Sequence, residues 1–411
     1  MSKQKTGLVP ELRFPEFLNE GEWSTKALGK CLDYIQPTKY LVRSTAYDDK
    51  YKTPVLTAGK TFILGYTDEI DGIFDDNLPV IIFDDFTTAS KFVDFPFKAK
   101  SSAMKILIAK ESTDIKFSYE LLQLVRYKVG VHERHWISIF SKIEIPMPSL
   151  KEQQKIADCL TSIDELITLH TQKLNALKNH KKGLMQQLFP AEGETVPRLR
   201  FPEFRDRENW LRDDLGKLVD IIDGDRGSNY PKLEDFSQSG FCLFLNAKNV
   251  TKNGFRFENT QFISKDKDSV LRKGKLQRND IVLTTRGTIG QFAYFSDDVP
   301  FEHLRINSGM VILRPKSKVL IPNYLYSFSK SCPLTSHIDN VAFGNAQQQL
   351  TVAGIRKFPI SYPQSDEQQI ISGFLFSFDV LIAAQNKKIE FLKDHKKGLM
   401  QKLFPIMDDV E

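Results

Sequence analysis

The sequence predicts an α+β protein with an internal pseudo-twofold repeat, in which two mixed α/β domains are separated by two long helices that form an antiparallel coiled coil. The segment VPELRFPEF at residues 9–17 returns as VPRLRFPEF at residues 196–204. HKKGLMQ at residues 180–186 returns unchanged at residues 395–401, and an apolar heptad runs through each of these regions. The return of the same motifs in the same order indicates two copies of one structural unit.

The two copies share a frame and differ between its ends. The RFPEF pair is offset by 187 residues and the HKKGLMQ pair by 215, so the second copy carries 28 more residues between them. Trp23 and Leu28 match Trp210 and Leu215 at the first offset. A frame that is repeated around dissimilar middles predicts two related domains that bind two different targets.

The middles contain short β-type stretches, such as VIIF and ILIA in the first copy and IVLTT and VILR in the second. We predict a first domain at residues 1–150, which includes the N-terminal RFPEF segment, and a second at residues 191–365, which includes the repeated one. Residues 151–190 and 366–405 are the two predicted spacer helices. Residues 406–411 form a tail.

Each spacer helix carries an apolar seam whose positions alternate four and three residues apart. The seams are Ile156, Leu160, Ile163, Ile167, His170, Leu174, Leu177, Lys181, Leu184 and Leu188, and Ile371, Leu375, Phe378, Ile382, Gln385, Ile389, Leu392, Lys396, Leu399 and Leu403. The polar interruptions fall at equivalent positions in both. Because a narrow stripe is buried only against a partner, we expect the two helices to pack antiparallel. Each seam spans roughly 50 Å at helical rise.

The composition limits the class of protein but does not identify a function. The chain has 411 residues, of which 41% are hydrophobic, and this is enough for two cores of ordinary size. A net charge of +5 neither demands nor excludes a nucleic-acid partner. The four cysteines are far apart, which argues against a zinc site and a disulfide framework. An N-terminus without an apolar segment leads us to expect a cytoplasmic protein with no membrane contact.

The sequence offers no constellation for catalysis. An N-P-P-Y-type tetrad, a glycine-rich cofactor loop and a Walker loop are all missing from the sequence. His132 and His135 are three residues apart, whereas the zinc-binding H-E-x-x-H helix requires four. We therefore predict a non-catalytic protein with no metal and no cofactor.

The order of these motifs resembles the specificity subunit of type I restriction-modification systems. The resemblance rests on the RFPEF segments, the E-Q-Q helix starts at residues 152–154 and 367–369, and the HKKGLMQ-x-LFP endings at residues 180–190 and 395–405. It covers essentially the whole chain. It implies two target-recognition domains, each reading one half of a bipartite, asymmetric site in double-stranded DNA, with the paired helices setting the gap.

The same resemblance implies the partners. Two copies of a modification subunit, an adenine methyltransferase, dock on the shared frame, and ATP-dependent restriction subunits assemble onto them. The alternative is a non-catalytic, two-headed coiled-coil scaffold whose domains bind protein partners. Steep salt dependence of DNA binding would distinguish the first from the second, because phosphate contacts release counterions.

Candidate DNA contacts are the polar residues of loops that follow buried strands. They are Thr57, Lys60, Thr87, Thr88, Ser90, Lys91 and Arg134 in the first domain, and Arg226, Asn229, Tyr230, Asn246, Lys248, Asn249, Thr284, Thr285, Arg286, Thr288, Asn345, Gln347 and Gln348 in the second. Arg286 is the best single candidate, because a bidentate guanidinium on guanine is the commonest specific contact. The alternative is a hairpin-tip arginine bonded to backbone or water.

Candidate partner contacts belong to the repeated frame, because two identical partners need two equivalent surfaces. They are Phe14, Phe17, Phe201, Phe204, Glu152 and Glu367. We expect these residues to lie at the interface with the modification subunits.

Overall fold

A computed structural model describes residues 8–59, 61–127, 134–343 and 349–407 of the chain. The chain divides into two compact units. One comprises Met1–Thr171 with Lys387–Glu411, and the other comprises Gln172–Asn386. Each unit therefore contains one domain, the first part of one long helix and the last part of the other. Among the described residues, we find no helix that is both long and apolar enough to cross a membrane.

Within the described residues, the first domain and the helix after it contain nine strands and four α-helices. The strands are β1 (Ser24–Ala27), β2 (Leu32–Ile35), β3 (Thr53–Leu56), β4 (Ile63–Thr67), β5 (Val80–Asp84), β6 (Ser90–Val93), β7 (Lys98–Ala99), β8 (Met104–Ala109) and β9 (Glu144–Met147). The helices are α1 (Leu28–Cys31), α2 (Ile115–Leu122), α3 (His135–Ser138) and the long α4 (Leu150–Leu188).

Strand β5 is at the centre of the first domain because both of its faces are apolar. It lies in a four-stranded antiparallel sheet of order β2-β8-β5-β6. Ile81 and Phe83 face a core that includes residues of α2 and of the long helices. Val80 and Ile82 face a second core that includes residues of the three-stranded sheet β4-β3-β7. Alternate side chains of one strand thus belong to two cores.

In the part of the second domain that the structure describes there are eleven strands and five α-helices, and a second long helix follows it. The strands are β10 (Leu211–Asp214), β11 (Val219–Asp223), β12 (Cys242–Phe244), β13 (Val250–Thr251), β14 (Gly254–Phe255), β15 (Phe262–Ile263), β16 (Ile281–Thr284), β17 (Phe292–Tyr294), β18 (Leu304–Arg305), β19 (Met310–Pro315) and β20 (Pro359–Tyr362). The helices are α5 (Leu215–Leu218), α6 (Lys265–Val270), α7 (Pro322–Ser329), α8 (Cys332–Phe343), α9 (Val352–Arg356) and the long α10 (Ser365–Leu403).

The two domains have the same sheet topology although their sequences differ. The order β11-β19-β16-β17 repeats β2-β8-β5-β6, and β15-β12-β18 repeats β4-β3-β7 with the same mixture of one antiparallel and one parallel pair. The pair β10–β20 repeats β1–β9. The hairpin β13–β14 belongs to the longer second copy. The predicted α+β fold with an internal repeat is confirmed.

The long helices pack antiparallel within each unit. In the first unit, Ile156 shares a core with Leu403, and Asp164, two turns further along α4, binds Lys396 of α10 at 2.7 Å. In the second unit, Lys181 of α4 pairs with Asp379 of α10, which is the same pair shifted by 215 residues. Position numbers rise along one helix while they fall along the other, so the predicted antiparallel coiled coil is confirmed.

The seam positions are shielded from solvent within each unit. All twenty seam positions are buried or half-buried, the polar ones included. Lys396 also binds Glu120 of α2 at 2.8 Å, and Lys116 of α2 binds Asp164 at 2.7 Å. Burial raises the pKa of Asp164, but hydrogen bonds from Lys116 and Lys396 outweigh it, so the pKa of this carboxyl is lowered from its usual value. These charges attach the first domain to both helices.

The LFP ending of each copy lies in the core of the other copy's domain. Phe404 is buried in the first unit, where its ring centroid lies 6.3 Å from that of Trp23 and 5.1 Å from that of Phe117. Phe189 is buried in the second unit, 6.5 Å from Trp210 and in contact with aromatic rings of α7. Each domain is therefore completed by a residue from the opposite half of the sequence.

Candidate nucleic-acid interface

The loop after the central strand of each domain packs beside the loop that precedes the neighbouring strand. The Asp85 N–H donates to the carbonyl of Ala103 at 3.2 Å in the first domain. The Thr285 N–H donates to the carbonyl of Gly309 at 2.8 Å in the second. Because β5 pairs with β8 and β16 with β19, strand pairing places these two loops together in both domains.

A third segment joins them at the same place. The His135 N–H donates to the Asp85 carbonyl at 2.9 Å, and the Leu350 N–H donates to the Thr285 carbonyl at 3.0 Å. We call residues 85–91, 101–103 and 134–135 the first loop end. We call residues 285–290, 307–309 and 349–350 the second loop end.

The predicted loops after β3 and β12 lie at the same end of their domains. The Lys100 N–H donates to the Leu56 carbonyl at 2.9 Å, so Thr57 follows directly beside the first loop end. The Leu245 N–H donates to the Arg305 carbonyl at 2.7 Å, which places Asn246 beside the second loop end. Candidates that are far apart in sequence are thus brought to one edge of each domain.

Two exposed arginines lie at the second loop end. Arg226 Nη2 donates to the carbonyl of Ser308 at 3.2 Å and forms an ion pair with Asp223 at 3.1 Å. Arg286 Nε donates to Gln349 Oε1 at 3.2 Å. Each guanidinium has five N–H donors, and these contacts use only some of them. Both arginines therefore retain donors for an external acceptor.

Other candidates surround the same loop. Tyr230 is half-buried, and its hydroxyl accepts the Ser308 N–H at 3.5 Å. Asn229 is exposed and its Nδ2 donates to the Val270 carbonyl at 3.4 Å. The backbone N–H of Gly227, followed by that of Arg272, lowers the pKa of Asp225 from its usual value. An ionised Asp225 therefore fixes the turn that carries Arg226.

A cleft of about 560 Å³ in the second domain joins two predicted loops with residues that sequence reasoning missed. Lys248 and Thr288 were predicted candidates, and both line the cleft. The rest of its polar lining consists of Thr251, Lys252, Arg256, Glu258, Asn259 and Gln291, and Arg256 forms an ion pair with Glu258. The basic run TKNGFR around hairpin β13–β14 was the available signal for Lys252 and Arg256.

The first loop end presents exposed hydroxyl and basic side chains. Thr87, Lys91 and Arg134 are exposed there, and Thr88 is half-buried with a positive φ of 59°. Ser90 Oγ accepts a hydrogen bond from Gln123 Nε2 at 2.8 Å. Thr57 Oγ1 donates to the Thr61 carbonyl at 2.8 Å and so holds its own turn. Lys60 lies outside the described residues.

Three predicted DNA contacts are interior residues, which corrects their assignment to the surface. Thr284 is buried and its hydroxyl donates to the Thr288 carbonyl, and Thr285 is buried beside it. Asn249 is buried, and its Nδ2 donates to the carbonyls of Arg256 and Asn259, each at 3.0 Å. These side chains are held inside their own loops rather than at the surface. Asn345, Gln347 and Gln348 fall outside the described residues.

Asn246 also has an internal role. It is half-buried, its Oδ1 accepts the Lys248 N–H at 2.9 Å, and its own N–H donates to Asn249 Oδ1 at 2.9 Å. This reciprocal capping turns the chain so that Lys248 points into the cleft.

The predicted partner contacts Glu152 and Glu367 are buried inside their own units, which corrects their assignment to an exposed interface. Arg13 Nε and Nη2 donate to both oxygens of Glu152 at 2.7 Å, and Trp23 Nε1 donates to it at 3.3 Å. Arg200 and Trp210 bind Glu367 in the same way, with the two arginine contacts at 2.8 Å. Paired charge compensates the desolvation of these carboxylates.

The glutamine that follows each of these acids was missed by sequence reasoning. Gln153 Oε1 accepts the Asp114 N–H at 2.9 Å, just before α2. Gln368 Oε1 accepts the Ile321 N–H at 2.9 Å, just before α7. Their repetition in E-Q-Q was the only signal. The motif therefore attaches the RFPEF segment and a domain helix to the start of each long helix.

The phenylalanines of the RFPEF segments divide into two kinds. Phe17 and Phe204 are buried, so they too belong to the interior rather than to an exposed interface. Phe14 and Phe201 are half-buried. The Lys155 ammonium lies 5.6 Å from the Phe14 ring centroid, whereas the Phe201 ring lies 5.5 Å from that of Phe374.

The chemistry available at both loop ends is hydrogen bonding and charge. Hydroxyl, amide and guanidinium groups are the inventory that contacts phosphates and base edges. Within the described ranges, the structure contains no group of three or more His, Cys, Asp or Glu side chains placed to hold a metal ion.

The family model of the type I restriction modification DNA specificity domain matches residues 13–179 and 208–394, and therefore both copies of the repeat. The chain belongs to this family. The computed structure is similar to that of the type I restriction-modification S subunit from M. genitalium, with a TM-score of 0.65 at 16% identity over 98% of this chain and 100% of that one. A chain from a study of complex assembly in the type I R-M system aligns with a TM-score of 0.54 at 16% identity, covering 93% and 97%. At this identity the likeness concerns the fold.

Particular relatives are specificity subunits. The Escherichia coli EcoR124I/EcoR124II specificity subunit is 44% identical over 202 residues, which are 45% of this chain and 50% of that protein. The MjaVIII specificity subunit of Methanocaldococcus jannaschii is 28% identical over 273 residues, 64% of this chain and 62% of that one. The chain thus spans between half and 62% of the length of these relatives.

Proposed function

We propose that this chain is the DNA specificity subunit of a type I restriction-modification complex. Each domain reads one half of a bipartite, asymmetric site in double-stranded DNA. The paired helices set the gap between the half-sites and dock two modification subunits, which are adenine methyltransferases, and ATP-dependent restriction subunits assemble onto these. The chain supplies sequence choice and leaves the chemistry to its partners.

The observation that carries the proposal is the pair of loop ends. Identical topology and equivalent backbone hydrogen bonds bring the same three segments together in both domains. The side chains that these segments present are different, with Arg134 and Lys91 in the first and Arg286 and Gln349 in the second. A constant scaffold with variable polar tips is what two readers of different base sequences require.

Electrostatics favour DNA over a protein target in the second domain. Lys248 and Lys252 line the cleft beside the ion pair of Arg256 with Glu258, and Arg226 and Arg286 lie at the second loop end. Clustered basic groups attract the phosphate backbone, and guanidinium groups also recognise guanine in the major groove. The overall net charge of +5 is small, so the basic character is local.

Partner docking is assigned to the repeated frame. Phe14 and Phe201 occupy equivalent positions and are both half-buried, so each leaves part of its ring available. Two copies of one partner bind most simply to two equivalent surfaces. The buried acids Glu152 and Glu367 support this surface indirectly, because they hold the RFPEF segments in place.

Replacing Arg286 with alanine tests the assignment. In the complex with modification subunits, Arg286→Ala is expected to weaken binding to the cognate site by roughly 5- to 150-fold, the equivalent of about 1–3 kcal/mol, and to relax selection at one half-site. Electrophoretic mobility and methylation assays on cognate and half-site-mutated DNA measure both effects.

Arg212→Ala is the matched control. Arg212 is exposed on β10, which leads to the opposite end of the sheet, where Val219 pairs with Pro315. This variant should bind like the parent protein. If Arg286→Ala and Arg212→Ala behave alike, or if binding of the parent complex does not weaken steeply with salt, the assignment of this edge to DNA is wrong.

A further inference from the structure

The outer face of the first half of α10 is apolar and exposed. Ile370, Phe374, Phe376, Val380 and Leu381 are 43%, 36%, 59%, 52% and 52% exposed. At 100° per residue, Phe376 and Val380 lie opposite the seam, and the other three lie together on one side of the helix, between that outer face and the seam. A helix that is apolar on its seam and on its outer face is normally covered on both sides.

The equivalent face of α4 is different. The residues 215 positions earlier are Lys155, Cys159, Thr161, Glu165 and Leu166. Of these, Leu166 is the large apolar side chain, and it is 45% exposed; Leu169, whose counterpart on α10 is Ala384, adds a second that is 61% exposed. The seam and both helix ends are closely matched between the copies, so the outer face is where the two long helices diverge most.

The exposed area suits a protein interface. At roughly 200 Å² for a large apolar side chain, the five exposed fractions on α10 amount to about 480 Å². A stable interface of standard size buries roughly 800 Å² on each partner, of which about 56–65% is apolar. The α10 face therefore supplies the apolar area that one such interface needs, whereas Leu166 and Leu169 on α4 supply about 210 Å², which is less than half as much.

The α10 face is continuous with the surface that we assign to partner docking. The ring centroids of Phe201 and Phe374 are 5.5 Å apart, so the RFPEF segment and the helix face form one apolar surface. In the first unit, Phe14 meets the ammonium of Lys155, which is the counterpart of Ile370 and forms an ion pair with Glu16 at 3.0 Å. The equivalent surface there is interrupted by charge.

We propose that the α10 face makes the second unit the tighter of two docking sites for the modification subunit, so that the complex assembles in a fixed order. The first copy binds at Phe201 and the α10 face, and the second copy binds later at Phe14 and α4. This inference rests on the proposed function and adds to it an assembly order and a stable intermediate with one modification subunit.

Titration of the full chain with purified modification subunit tests the order. Native mass spectrometry and calorimetry should show two binding steps whose dissociation constants differ by at least about tenfold. The double variant Phe376→Ser, Val380→Glu should remove the tight step and leave the weak one. The matched grafts Thr161→Phe and Glu165→Val on α4 should bring the weak step to within a few-fold of the tight one. Circular dichroism checks that the helices are retained.

Each other outcome overturns a distinct statement. Two equal steps in the parent chain, or equal weakening of both steps by the α10 variant, contradict the assembly order while leaving the proposed function intact. A parent chain that binds no modification subunit contradicts the proposed function itself. Self-association of the chain alone, lost in the α10 variant, assigns this face to a second copy and overturns the inference.

Discussion

Replacing Glu367 with alanine is expected to lower the free energy of unfolding of the second unit by about 3–5 kcal/mol. The carboxylate is buried, accepts two hydrogen bonds from Arg200 at 2.8 Å and a third from Trp210 at 3.2 Å. Its removal leaves a buried guanidinium and an indole N–H without their acceptor. The chain at Trp210, just before β10, then loses its side-chain hydrogen bond to the start of α10.

Hydrogen exchange followed by mass spectrometry measures this effect by region. Peptides from residues 172–386 should exchange faster, and those from residues 8–171 should not. Asp366→Ala is the control, because Asp366 binds Arg207 at 2.7 Å in an exposed ion pair, and water screens such pairs so that they contribute little to stability. Similar effects for Glu367→Ala and Asp366→Ala would show that the buried cluster does not hold the unit together.

Replacing Phe404 with alanine is expected to destabilise the first unit by about 3–5 kcal/mol, although Phe404 belongs to the second copy. Its ring is buried against Trp23 and Phe117, and its removal leaves a cavity between α10 and the first domain. Exchange should therefore accelerate in peptides from residues 8–171.

Phe189→Ala is the reciprocal variant. Phe189 lies among Trp210, Tyr324 and Phe328, so its loss should accelerate exchange in the second unit instead. Faster exchange of the second unit in Phe404→Ala, or of the first in Phe189→Ala, would refute the reciprocal insertion of the two helix ends.

The repeat and the coiled coil could be predicted because their signals are periodic and local. Seam positions recur every three or four residues, and even the breaks at Lys181 and Lys396 match between copies. The structure gives these breaks a role, since each lysine pairs with an aspartate across the seam. The β-rich middles were recognisable from short apolar strands, of which β5 and β16 are buried on both faces.

The role of the E-Q-Q motif could not be predicted, because it depends on residues far away in the sequence. An acid in the first turn of a helix is ordinarily a solvated dipole partner. Glu152 instead meets Arg13, which is 139 positions earlier. Only tertiary packing reveals that the helix start is covered by the RFPEF segment.

The candidate DNA interface was predictable in part. The segments after the central strands are turns, as predicted, but Thr284 still belongs to β16 and Thr285 is buried directly after it. Residues 307–309 were not predicted to belong to the interface, because an Asn-Ser-Gly turn before a strand is common. Their position beside Thr285 follows from the pairing of β16 with β19, which one sequence does not reveal.

The assignment of one half-site to each domain is tested most directly by methylome sequencing of a host that carries only this chain and its methyltransferase. Residues 23–140 are exchanged for the corresponding region of a relative with a different target. One half of the methylated motif is expected to change, while the other half and the gap between them are retained. A motif that changes in both halves, or in neither, would contradict it.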